Sequence, residues 1–130
     1  MEKEFVTYNQ ALALKELGFN EECFKYYIET GECVYASYSK HFNIYPKNSD
    51  LMPEWASTPL KQQVFKFFRE KYNLLCPIDN SEYTNWYYVI RKIVSKNDPL
   101  INSISSGNFS LYEEAESACI DKLIEIVKNK

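Results

Sequence analysis

Glycine and histidine are scarce in this chain, with three glycines and a single histidine among 130 residues. A phosphate-cradling loop needs closely spaced glycines, so Walker-type and dinucleotide-binding loops are excluded as sequence readings. The lone histidine, His41, has no second histidine or cysteine at zinc-ligand spacing, so no metal site is expected. A nucleophilic triad would require one of the cysteines or a serine to be brought beside His41 by the fold, and no spacing demands it. No apolar run approaches the roughly 18 residues of a membrane span. The N-terminus, Met1-Glu2-Lys3-Glu4-Phe5, lacks the basic-then-apolar order of a signal peptide. The reading is therefore cytoplasmic. Without an export signal, the four cysteines (Cys23, Cys33, Cys76 and Cys119) are expected as buried thiols, not as disulfides.

What is present is ordinary globular material with an aromatic excess. Apolar residues make up 45% and charged residues 25%, which is enough for one hydrophobic core in a single domain of residues 1–130. Aromatics reach 16%, including 11 tyrosines. Such side chains fit half-buried sheet surfaces and also concentrate at interfaces. The formal net charge of −3 disfavours a nucleic-acid partner, because phosphate neutralisation supplies most of that affinity.

The pattern along the chain predicts an α+β fold in the order α-β-β-α-β-β-α, two antiparallel hairpins with three helices packed on the sheet. The first helix is placed at 8–17. Thr7 and Gln10 form a capping box and Gly18 ends the helix in the left-handed conformation. A hairpin follows over Cys23–Ile28 and Cys33–Tyr38, turning at Glu29-Thr30-Gly31. A three-residue loop would set Tyr27 opposite Cys33, and a two-residue loop would put Cys23 and Cys33 on opposite faces. Residues 39–57 read as a long loop carrying His41, Phe42, Tyr45, Leu51, Met52 and Trp55, either packed on the body or covering a cleft.

The second helix should start at Thr58-Pro59 and run to Tyr72, burying Leu60, Val64, Phe67, Phe68 and Tyr72. A second hairpin is expected from Leu74–Ile78 and residues 83–94, turning at Asp79-Asn80-Ser81. A helix is the minority reading of 83–94. The third helix should be capped by Ser110 with Glu113 and bury Ala115, Cys119, Leu123, Ile126 and Val127. Phe5–Ala11 echoes Phe109–Ala115, which shared capping chemistry would explain.

Two residue groups could bind a ligand. On the long strand, Trp86, Tyr88, Ile90 and Lys92 alternate onto one face and Tyr87, Val89 and Arg91 onto the other. Aromatics next to Arg91 and Lys92 could stack a base and pair a phosphate. With Trp55 of the loop, they make Trp55, Trp86, Tyr88, Arg91 and Lys92 the candidate ligand-binding set. The plainer reading is that one face is core and the basic pair a solvated strand end. No catalytic residue and no cofactor is assigned.

Three stretches carry a family resemblance: Phe5 to Phe19, Phe67 to Tyr72, and Tyr112 to Ala115 with Leu123 to Val127. Together they resemble small uncharacterised proteins encoded by phages and prophages of Bacteroidetes-type bacteria, over the three helices and under half of the chain. The resemblance implies a phage or mobile-element accessory protein working in the bacterial host cell. Such a protein would bind a host protein or defence component, or else sequester a small nucleotide-like signal molecule. A small enzyme, a virion component and a homodimer are further readings it leaves open, and it brings no catalytic residues with it.

Overall fold

The computed structural model describes residues 2–35, 45–81, 85–92 and 103–129. The fold is α+β, with three α-helices and antiparallel sheets. In chain order the elements are α1 (Tyr8–Glu16), β1 (Lys25–Tyr27), β2 (Cys33–Tyr35), β3 (Ala56–Thr58), α2 (Lys61–Tyr72), β4 (Leu74–Leu75), β5 (Ile78–Ser81), β6 (Asn85–Lys92), β7 (Ser103–Ser105) and α3 (Tyr112–Lys128). Single 3-10 turns lie at Glu2–Glu4 and Asn48–Asp50. The chain divides into two compact units, Met1–Gln62 and Gln63–Lys130.

In the first unit, α1 begins as its sequence requires. The Thr7 hydroxyl accepts the Gln10 amide (3.2 Å) and the Gln10 side chain accepts the Thr7 amide (3.0 Å). Gly18 ends the helix at φ 91°. The Phe19 amide returns to the Leu14 carbonyl (3.0 Å) and the Gly18 amide to that of Lys15 (3.1 Å). This is the Schellman arrangement, with the buried side chains of Leu14 and Phe19 at its apolar positions.

The first hairpin takes the three-residue loop. Tyr27 faces Cys33, the Ile28 amide donates to the Glu32 carbonyl (3.0 Å), and Gly31 sits at φ 88°. The sheet order is β2-β1-β3, all antiparallel. The third strand, β3, lies where an irregular loop was expected. His41 and Phe42 fall outside the described residues.

Helix α2 starts later than Thr58-Pro59 would predict, because the preceding backbone is committed to pairing. Thr58 is the last residue of β3, opposite Lys25. The Pro59 carbonyl accepts the Val6 amide (3.2 Å), and Leu60 bridges Phe5. Val64, Phe67 and Phe68 form the buried stripe, as their spacing predicts. Asn73, at φ 57°, ends the helix in the left-handed region that asparagine tolerates.

In the second unit β6 is central. One register runs from Leu74 opposite Lys92 to Ser81 opposite Asn85, so β4 and β5 form a single strand interrupted only at Cys76-Pro77. Asp79-Asn80-Ser81 is therefore strand, not turn. On its other side β6 pairs with β7, and Trp86 bridges Phe109. Helix α3 packs on β6.

Helix α3 begins at Tyr112 with Leu111 at the N-cap and no side-chain cap, so the expected Ser110 box does not form. Phe109 immediately upstream already exchanges both backbone bonds with Trp86 (2.7 and 2.8 Å). The buried face is Ala115, Glu116, Cys119, Ile120, Leu123 and Ile124, with Ile126 and Val127 only half-buried. The cysteines also depart from expectation. Cys76 and Cys119 form a disulfide, Cys23 is a buried thiol and Cys33 an exposed one. The β4–β5 register explains the pairing. It puts Cys76 on the same sheet face as Tyr88 and Ile90, which α3 covers, and Cys119 lies on the buried side of α3. Neither fact is readable from cysteine spacing.

Candidate functional site

The candidate interaction surface lies in the first unit and grows from one buried asparagine. The Asn48 side chain donates to the Phe19 carbonyl (2.7 Å) and accepts the Ser57 amide (2.7 Å). It thereby satisfies the outward-facing amide of β3 and fastens the 3-10 turn to the end of α1. Next to it the Cys23 amide donates to the Pro46 carbonyl (3.2 Å). Cys23 and Pro46 point inward, which turns their neighbours Phe24 and Tyr45 outward.

Those two rings meet edge to face, with centroids 5.0 Å apart and planes at 89°. They stay 47% and 44% exposed. An aromatic pair this exposed keeps much of its apolar area in water, which is the property of a contact surface and not of a core. The parity of β1 conceals this in the sequence, where Lys25 would be the natural outward residue. Instead the lysine is buried, its ammonium lying 4.2 Å from the Phe5 ring centroid and 4.5 Å from that of Tyr35. Aromatic faces attract the cation, and its aliphatic stem packs as a hydrophobe.

Trp55 is held by its own unit. It stacks on Tyr26 (5.4 Å, 20° between planes), and its indole N–H donates to the Glu29 carboxylate. That bond and a backbone amide bond hold the exposed Glu29 carboxyl below its ordinary value, the backbone bond contributing more. Lys15 of α1 donates to the carbonyls of Met52 (3.3 Å), Pro53 (2.8 Å) and Trp55. The described end of the 39–57 segment is thus packed on the body, with Pro46, Asn48 and Leu51 buried.

The other candidate ligand residues lie on β6 of the second unit. Trp86 meets Tyr112 of α3 edge to face at 5.0 Å, and Tyr88, buried, stacks on Phe109 at 6.2 Å. Burial raises the phenols of Tyr88 and Tyr112. Arg91 and Lys92 are exposed at the strand end, opposite Leu75 and Leu74 of β4. The strand thus brings Trp86 and Tyr88 together on the face under α3, whereas Arg91 alternates to the other face.

Among the candidate nucleophiles, Cys23 is chemically quiet. Burial pushes the Cys23 thiol up to about 12, an effect that Ser57 lowers and Glu21 reinforces. The Ser57 hydroxyl itself makes no hydrogen bond of good geometry among the described residues. A thiol so raised is not a thiolate at neutral pH. Among the described residues no three His, Cys, Asp or Glu side chains are grouped to hold a metal ion. Among them, too, no helix is long and apolar enough to cross a membrane.

No protein-family model matches the chain, and neither does any curated protein or solved structure.

Proposed function

We propose that the protein is a phage or mobile-element accessory protein that acts as a non-enzymatic binding module in the cytoplasm of a bacterial host, against a host protein or defence component. The observation that carries the binding reading is the Phe24–Tyr45 pair, two large rings kept nearly half in water by a scaffold that buries both of their neighbours. Aromatic anchors of this size dominate binding energy when a partner desolvates them. The biological setting rests on the resemblance of the helix-entry and helix-core motifs to those of phage-encoded proteins.

The test is a comparison of the wild-type chain with F24A/Y45A. Both positions are exposed, so the variant should keep its circular dichroism spectrum and unfolding midpoint. A host protein captured from lysate is then purified, and its affinity for each form is measured by calorimetry. The expected result is a loss of about 30-fold or more, the scale of a two-residue hot spot. Equal affinity would reject this surface. A small molecule carried through native mass spectrometry would instead favour the sequestering alternative, with Trp55, Trp86, Tyr88, Arg91 and Lys92 to be tested next.

A further inference from the structure

We propose that the Cys76–Cys119 disulfide is a reversible redox latch that closes the second unit. The proposal does not depend on the binding reading. Its basis is where the bond sits. The long hairpin strand formed by β4 and β5 loses its regular ladder at Cys76-Pro77, where proline supplies no amide. The Pro77 carbonyl still accepts the Val89 amide (3.1 Å). At this weak point of the ladder the covalent bond ties the strand to α3.

The two cysteines also differ in burial. Cys119 is wholly buried, whereas Cys76 is half-buried on the strand. Access governs exchange, so the less buried Cys76 is the side from which a reductant reaches the bond. A dithiol reductant can attack Cys76 as a thiolate. That step forms a mixed disulfide and releases Cys119, which takes up a proton. The reductant's second thiolate then displaces Cys76, which is protonated in turn, and the reductant leaves as its cyclic disulfide. Two electrons and two protons have passed to the protein. Both thiols can remain in the folded chain, since a buried cysteine behaves as a small hydrophobe. What is lost is the tie between the strand break and α3.

The experiment uses the full chain carrying C33S, which removes the exposed thiol from exchange. Intact mass and hydrogen exchange are followed in oxidised glutathione, after dithiothreitol, and after reoxidation. The expected outcome is a bond that forms and opens without denaturant. Amides of β5, β6 and α3 should exchange at least about tenfold faster when reduced, with those of α1 and β1 unchanged and the effect reversed on reoxidation. C33S/C76S/C119S should match the reduced form and ignore dithiothreitol. Where that variant fails to fold, the reversible cycle of the C33S chain decides alone. Free thiols at both positions under oxidising conditions, reduction only in denaturant, or identical exchange in both states would each overturn the latch.

Discussion

The two units begin their helices in the same way and close their cores differently. In each, a phenylalanine is held in an antiparallel bridge, Phe5 to Leu60 and Phe109 to Trp86. In each, a tyrosine three residues later opens the helix and packs edge-on against a strand aromatic. Tyr8 meets Tyr27 at 5.3 Å and Tyr112 meets Trp86 at 5.0 Å. The echo between residues 5–11 and 109–115 is therefore an entry geometry and not a shared cap, since the Thr7–Gln10 box has no counterpart at Leu111.

Beyond the entry the units part. The first relies on polar bonds that tie its loops to α1 and β3: the Asn48 hub, the Lys15 clamp and the Schellman end of α1. The second has a central eight-residue strand, a 17-residue helix and a covalent bond. Short strands of three residues cannot bury much surface of their own, so the first unit needs specific side-chain bonds to fix its loops.

The largest expected effect tests the covalent side of this contrast. The disulfide spans a sequence separation of 43 residues. In the chain-entropy model, removing a crosslink of that length costs about 4 kcal/mol. C76A/C119A should therefore lower the stability of β5, β6 and α3 by about that much, read from hydrogen exchange in mild denaturant. The amides of α1 and β1 should keep their wild-type protection. A uniform loss across the whole chain would mean that the two units do not differ in what closes them.

Asn48→Ala tests the polar side. It leaves the Phe19 carbonyl and the Ser57 amide without their side-chain partner in a buried setting, at a cost of about 3 kcal/mol. The loss should fall on α1 and β3, while β6 and α3 hold. Asn48→Asp restores only the acceptor for Ser57 and should recover part of the loss. An unchanged midpoint in Asn48→Ala would show that the hub is ornamental and that apolar packing alone closes the first unit.

The parts that local chemistry decides were legible before the structure. The Thr7–Gln10 box, Gly18, the Glu29-Thr30-Gly31 loop and the Val64–Phe68 stripe all follow from bonds or periods within a few residues. The misplaced features depend on distant pairing. Thr58-Pro59 looks like a helix start until β1 and Val6 claim its backbone, and Ser110 looks like a cap until Trp86 claims Phe109. Asp79-Asn80-Ser81 looks like a turn until the register with β6 extends to Ser81. The site was harder still. Phe24 is exposed while Lys25 and Tyr26 after it are both buried, so no alternation along β1 marks it, and the burial of Lys25 depends on the Phe5 and Tyr35 rings beside its ammonium. Trp55 and Trp86 were identified as aromatic features, but what they stack against is set by Tyr26 and Tyr112.

The smallest expected effect asks whether the first unit stays closed without a covalent tie. Its two cysteines are a buried thiol, Cys23, and an exposed one, Cys33. A neutral alkylating reagent should modify Cys33 readily and leave Cys23 unmodified in the folded chain, both at pH 7 and at pH 9. The second condition matters because Cys23 keeps its proton up to about 12, against an ordinary value of 9.0. Below pH 9 the thiol is neutral in folded and unfolded chains alike and contributes no pH dependence. Between 9.0 and about 12 the unfolded chain loses this proton and the folded chain keeps it. Stability of the first unit should therefore fall as pH rises through that window. If Cys23 is alkylated as fast as Cys33 at pH 7, the core around Asn48 opens on the labelling timescale. The contrast between a polar-fastened unit and a covalently latched one would then have to be given up.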